Sequence, residues 1–169
     1  NYIPTYTAIG HTTIYTGSVP AIHGIAGNDW FDKTTGKNVY CTADDTVKGV
    51  GTTSSKVGNH SPRNLWSTTI TDELLLATNF KAKVVGVSLK DRASILPAGH
   101  NPTGAYWFDD TTGDFVTSSY YRNELPKWVT DYNNQKIGEN LVKNGWNTLL
   151  PIAQYTESSP DNSPWEGLQ

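Results

Sequence analysis

The run from Lys83 to Leu89, K-V-V-G-V-S-L, constrains the fold more than any other stretch of the chain. It is short, continuous and rich in β-branched valine, whereas a strand with one wet face alternates apolar and polar residues. It is therefore expected to be a strand buried on both faces of a mainly parallel sheet, with helices above and below. Upstream, Ser61-Pro62 offers an N-cap and a first-turn proline. Trp66, Ile70, Leu74 and Ala77 then fall on one helical stripe expected to pack on that sheet. Helix and strand make half of a β-α-β unit, and the expected fold class is α/β.

A chain of 169 residues can bury one core, and 36% hydrophobic content with six Trp and nine Tyr argues against disorder. A formal charge of −3 and a pI near 5.7 leave no basic footprint for nucleic acid or an anionic membrane. No apolar run approaches the roughly 20 residues of a membrane span. Cys41 is alone, so no internal disulfide framework exists, and no Cys/His cluster has structural zinc spacing. The sequence starts with Asn, contains no Met and shows no signal peptide. It is expected to be a piece of a longer polypeptide.

Residues Asn28 to Cys41 read as a hairpin turning at Thr34-Thr35-Gly36, and Trp107 to Val116 repeat the pattern around Thr111-Thr112-Gly113. One short echo is not a tandem repeat, so both are taken as separate uses of the same turn chemistry. Val47 to His60, rich in Gly, Ser and Thr, reads as a surface loop. Asn123 to Gly145 reads as one helix or two short ones, with Gly138 as a break and Gly145 as a stop. Residues 1–145 and 146–169 are read as two parts, the second an irregular, Pro-containing cap or linker.

Thr7 follows an extended, Pro-containing segment and precedes Ala8 to Gly17, which read as a helix. Its hydroxyl falls at the expected N-cap, where free N–H groups and the positive end of the dipole favour an anion. It either caps the helix or serves as a nucleophile beside a phosphate. Asn28 either closes an Asx turn over Gly27 to Asp29 or offers its amide to a phosphate oxygen. Lys90 and Arg92 lie at the carboxyl end of the 84–89 strand, the edge where α/β sheets bind ligands. If the backbone stays extended there, both side chains point the same way. They are otherwise a solvated pair partnered by Asp91.

Three segments are specific in combination: Thr7 in P-T-Y-T-A-I-G-H, the run P-A-I-H-G-I-A-G-N from Pro20 to Asn28, and S-L-K-D-R from Ser88 to Arg92. In order and spacing they resemble the alkaline phosphatase superfamily, in the branch joining phosphate-irrepressible alkaline phosphatases to type I phosphodiesterase/nucleotide pyrophosphatases. The resemblance covers nearly the whole chain. It implies a partial three-layer α/β/α alkaline-phosphatase-like domain with additional β-hairpins, truncated at both ends. It also implies Thr7 as the nucleophile of a phosphate monoester hydrolase, bound to one of two zinc ions and passing through a phosphothreonine intermediate. Asn28, Lys90 and Arg92 would bind the substrate phosphate. The remaining zinc ligands would lie in the rest of the parent polypeptide, so the fragment is expected to be inactive alone. A periplasmic or secreted location is the family's usual setting.

The substrate expected on this resemblance is a small-molecule phosphate ester. Two cations suit a dianionic monoester better than a monoanionic diester, which favours monoesterase activity over phosphodiesterase or nucleotide pyrophosphatase activity. A sulfatase is disfavoured because Cys41, in Y-C-T-A-D-D, lacks that group's C/S-x-P-x-R setting. His11 reads as a scaffold residue in a helix, and His23, His60 and His100 as turn residues. Asp44-Asp45 and Asp109-Asp110 read as solvated pairs. The remaining alternative is a non-catalytic phosphate- or glycan-binding module presenting Trp30, Tyr106, Trp107 and Trp165.

Overall fold

The computed structural model describes residues 5–145, 147–159 and 163–164. Contacts divide the chain into two units, Asn1–Lys136 and Ile137–Gln169. In chain order the first unit contains helices α1 (Thr7–Thr16) and α2 (Pro20–His23), strands β1 (Asp29–Asp32), β2 (Lys37–Tyr40) and β3 (Gly49–Val50), and helices α3 (Ser55–Gly58) and α4 (Ile70–Ala77). Strand β4 (Val85–Ser88), helix α5 (Asp91–Ala98), strands β5 (Gly104–Asp109) and β6 (Asp114–Ser118) and helix α6 (Lys127–Asn133) complete it. The second unit holds helix α7 (Ile137–Val142) and a 3-10 turn at Ile152–Gln154.

The main sheet runs β3-β6-β5-β4, with β4 parallel to β5 and the other pairs antiparallel. Strand β5 lies inside it, between β6 and β4. Ala105 and Trp107 face one way, into a cluster with Ile95 of α5 and Val116 of β6. The opposite face carries Tyr106 and Phe108, and there Tyr106 meets Trp128 of α6 while Phe108 meets Phe115, itself against Tyr132. Alternation along one strand thus feeds two helical layers, which is the three-layer arrangement expected from the sequence.

The parallel unit is β4-α5-β5, and its helix is one the sequence reading did not anticipate. Helix α5 lies directly on β4: a Cβ at Gly86 would stand 2.3 Å from the Ser94 carbonyl oxygen. Only glycine permits that approach.

The run from Lys83 to Leu89 does form a strand, but a shorter one and not the doubly buried one expected. Among the described residues β4 has a single neighbour, and Val85 and Val87 are exposed. The helix expected from Ser61-Pro62 starts instead at Ile70, behind a capping box in which Thr69 and Asp72 satisfy each other's backbone N–H groups. Ser61 donates to Asp44. The apolar stripe is inverted as well: Trp66 is 74% exposed and Ile70 67%, while Asp72 and Leu75 are the buried residues of α4.

Residues 47–60 are not simply a loop, since they contain β3 and α3. The break in the 123–145 helical segment falls before Ile137, next to Lys136 with φ of 47°, not at Gly138.

Both hairpins form as expected. In each, an aspartate (Asp32 or Asp109) accepts from the N–H two residues on, and its carbonyl accepts from the glycine four residues on (Gly36 or Gly113). The two glycines have φ of 68° and 74°, a left-handed conformation that other residues adopt with strain. Hence one turn recipe serves twice.

Candidate active site

Helix α1 has no side-chain cap of its own. Tyr6, not Thr7, is the N-cap residue, and Thr7 is the first helical residue with an exposed side chain. The missing cap comes from Asn28, whose Oδ1 accepts from the Ala8 amide at 3.0 Å across 20 residues. This bond commits the carboxamide oxygen to the helix. It leaves Nδ2 as a donor beside Thr7, since no hydrogen bond claims it among the described residues. The readings of the sequence are therefore modified: Thr7 does not cap the helix, and Asn28 does.

The base of the β1–β2 hairpin links this helix end to a second one. The Asn28 carbonyl accepts from the Cys41 N–H at 2.9 Å. Ala8, Ile25, Cys41, Leu65 and Leu96 share one buried cluster, against which Trp30 and Tyr40 pack. Helix α1, the hairpin and α5 therefore rest on common apolar ground, and α1 packs directly on α5.

Lys90 is the N-cap residue of α5 and Arg92 lies in its first turn, so the backbone is not extended between them. They do not project as an extended pair. Lys90 is exposed, and Arg92 is partly buried with Nη1 donating to the Tyr40 hydroxyl at 2.8 Å. Burial opposes the guanidinium charge, but the Tyr40 hydrogen bond and the fields of Tyr40 and Asp91 outweigh it and raise the pKa. Arg92 Nε is buried without a partner. A buried donor left unpaired costs about 1–3 kcal/mol.

Asp91 does not pair with Lys90 or Arg92. Its carboxylate accepts from Tyr40 Oη at 2.9 Å and from Thr42 Oγ1, and His60 Nδ1 stands 3.7 Å away. Burial, then the Asp91 charge, holds the Tyr40 phenol well above its ordinary pKa, so it keeps the proton that it donates. Burial also pushes the Cys41 thiol up to about 12, which removes it as a nucleophile at neutral pH. Sequence reasoning missed Tyr40, Thr42 and His60 because each meets Asp91 across 31 or more positions, and no local pattern marks such a contact.

Beside this network a cavity of about 780 Å³ is lined by Tyr40, Lys56, His60, Lys90, Arg92 and Phe108, among others. Thr7 and Asn28 do not line it. Structure thus places the four candidate residues in two pairs, at the amino ends of two packed helices, bridged by the hairpin base.

Other expectations change. His23 is buried, with its ring bonded to Thr13 and to the Ile25 N–H, and burial lowers its pKa. His60 is buried too, and Asp44 and Asp109 are not solvated but 5% and 1% exposed. Tyr106 and Trp107 are core residues at 2%, which removes them from any aromatic binding face. Trp165 lies outside the described residues. For zinc the donor set is insufficient: no group of three His, Cys, Asp or Glu converges among the described residues, and Thr7 supplies one oxygen. This chain by itself does not fit a dinuclear centre.

The model of the type I phosphodiesterase / nucleotide pyrophosphatase family matches residues 1–163. Alkaline phosphatase PafA of Elizabethkingia meningoseptica is 76% identical over 168 residues, which take in 99% of this chain and 31% of PafA. Alkaline phosphatase PhoV of Synechococcus elongatus is 55% identical over 165 residues, covering 98% of this chain and 30% of PhoV. A crystal structure of wild-type PafA at 1.7 Å matches with a TM-score of 0.92 over 99% of this chain and 32% of that chain. A PafA variant with one Thr-to-Ser, one Asn-to-Ala, one Lys-to-Ala and one Arg-to-Ala substitution matches with the same TM-score at 74% identity. The chain spans about a third of the length of these relatives. It carries part of an alkaline-phosphatase-like domain, and it belongs to the type I phosphodiesterase / nucleotide pyrophosphatase family within the alkaline phosphatase superfamily.

Proposed function

We propose that the protein to which this chain belongs is a phosphate monoester hydrolase in which Thr7 is the nucleophile and Asn28, Lys90 and Arg92 bind the phosphate. The observation that carries the reading is the Asn28 side chain, fixed by Ala8 so that a free amide donor stands beside an exposed hydroxyl at a helix N-terminus. Further support comes from the PafA variant, whose substituted Thr, Asn, Lys and Arg follow in the same order and at the same intervals as Thr7, Asn28, Lys90 and Arg92.

In the proposed reaction the bond from Thr7 Oγ1 to phosphorus forms as the bond to the leaving alcohol's oxygen breaks. Asn28 Nδ2, Lys90 Nζ and the unclaimed N–H groups of Arg92 meet the remaining phosphate oxygens. Water then cleaves the phosphothreonine and releases inorganic phosphate. A free threonine hydroxyl does not ionise at neutral pH. Two zinc ions of the whole protein would supply that activation, with Thr7 as the ligand contributed by this chain and the others by the rest of the polypeptide. The chain alone is expected to be inactive. A periplasmic or secreted location goes with the same reading.

In the full-length protein, Thr7→Ala is expected to abolish zinc-dependent hydrolysis of an aryl phosphate monoester. Retained turnover would end the proposal. The family's description also favours diester cleavage as a second activity. Combined Lys90→Ala and Arg92→Ala should depress the monoester rate far more than the diester rate, because the dianion presents the extra charge. Equal losses would leave phosphodiesterase as the better reading.

A further inference from the structure

We infer that Tyr40 is the positioning residue for Arg92, holding the guanidinium through a neutral hydroxyl that is itself fixed by Asp91. The inference rests on the assignment of Arg92 to the substrate phosphate. The chain of bonds is short and directional: Asp91 Oδ1 accepts from Tyr40 Oη at 2.9 Å, and the same Oη accepts from Arg92 Nη1 at 2.8 Å. Asp91 is 8% exposed, and Thr42 donates to its other oxygen, so the anchor cannot swing. Tyr40 packs on the cluster that contains Ala8 and Cys41, and its ring meets His60 at 5.6 Å.

The alternative anchor for a guanidinium is a carboxylate, and one is adjacent in sequence. Direct pairing with Asp91 would orient Arg92 but spend its charge, leaving less to attract a phosphate dianion. A phenol between the two transmits the orientation of the carboxylate while keeping the charges apart. Among the described residues this is the single side-chain hydrogen bond of Arg92. Its Nη2 donors are therefore left for a ligand. Tyr40 touches neither the reacting atoms nor the phosphate, and acts through Arg92.

Tyr40→Phe in the full-length protein removes the hydroxyl and keeps the ring. The expected result is about a tenfold loss of kcat/KM for an aryl phosphate monoester, the size of one charge-assisted hydrogen bond. The inhibition constant for inorganic phosphate should rise by a similar factor, with the diester rate changed by less than about twofold. Placed in an Arg92→Ala background, Tyr40→Phe should cost less than about twofold further, because the residue it positions is gone.

Equal losses for monoester and diester, an undiminished loss in the Arg92→Ala background, or no loss at all would overturn the inference and leave Tyr40 as packing. An Arg92→Ala variant with an unchanged monoester rate would instead overturn the assignment of Arg92, and the inference with it. Should Tyr40→Phe not fold, Asp91→Asn weakens the same acceptor without emptying its space. It should give the same monoester-selective pattern at smaller amplitude, and a non-selective loss would count against the inference.

Discussion

Asn28 serves two parts of the structure with the two ends of one carboxamide, and its variants separate them. Asn28→Ala removes the acceptor at the Ala8 N–H and should cost about 1 kcal/mol of stability, the usual size of a lost helix cap, together with phosphate affinity. Asn28→Asp keeps the acceptor and loses the donor while adding a negative charge near the incoming dianion. Its melting temperature should stay near that of the parent protein while monoester turnover falls further than in Asn28→Ala. A drop in melting temperature as large as that of the alanine variant would mean that the cap depends on the amide. At this scale the sequence exposed Thr7, Asn28, Lys90 and Arg92 through their motif context. It did not expose Tyr40, whose relevance arises from a hydrogen bond spanning 52 positions.

Elements were legible where their instructions are local. The two Asp-to-Gly turns formed as read because an aspartate and a left-handed glycine suffice to close each hairpin. Helix α4 was misplaced because Ser61-Pro62 has the chemistry of a helix start, yet Ser61 is engaged by Asp44, leaving the Thr69–Asp72 box to begin the helix. Helix α5 was missed because Pro97 sits inside it and the charged Lys90-Asp91-Arg92 resembles a strand exit. The contact of β4 with α5 makes a stringent test. Gly86→Ala would drive a Cβ to 2.3 Å from the Ser94 carbonyl oxygen and should destabilise by about 3 kcal/mol, the upper range for overpacking. Since α5 carries Lys90 and Arg92, phosphate affinity should fall as well. An unchanged denaturation midpoint would contradict so close an approach.

Across the first unit, three buried aspartates besides Asp91 join distant segments: Asp44 to Ser61 and Arg63, Asp72 to His100, and Asp109 to Thr52. Burial alone would raise each pKa, but hydrogen bonds from hydroxyls, backbone amides and charged partners outweigh it and lower all three. A carboxylate depressed in the folded state contributes stability that is present above its unfolded value, about 3.9, and is lost as pH falls through the folded value. The melting temperature should therefore hold from neutral pH to about pH 5 and fall progressively at more acid pH. Asp72→Asn should flatten part of that fall, and an unaltered acid profile in the variant would remove Asp72 from the account.

The sequence by itself determined the α/β class, the hairpin turns, the strand at Val85–Ser88 and the four residues on which the functional proposal rests. The turns and the strand depend on backbone preference or on a pattern within a few residues, and the four residues on a family resemblance carried jointly by three motifs. Tertiary structure decided which faces are buried, where α4 begins, that Asn28 caps α1, and that Tyr40 stands between Asp91 and Arg92. Those outcomes join groups 17 to 52 positions apart. Their energies depend on which surfaces meet, and that is a property of the assembled chain.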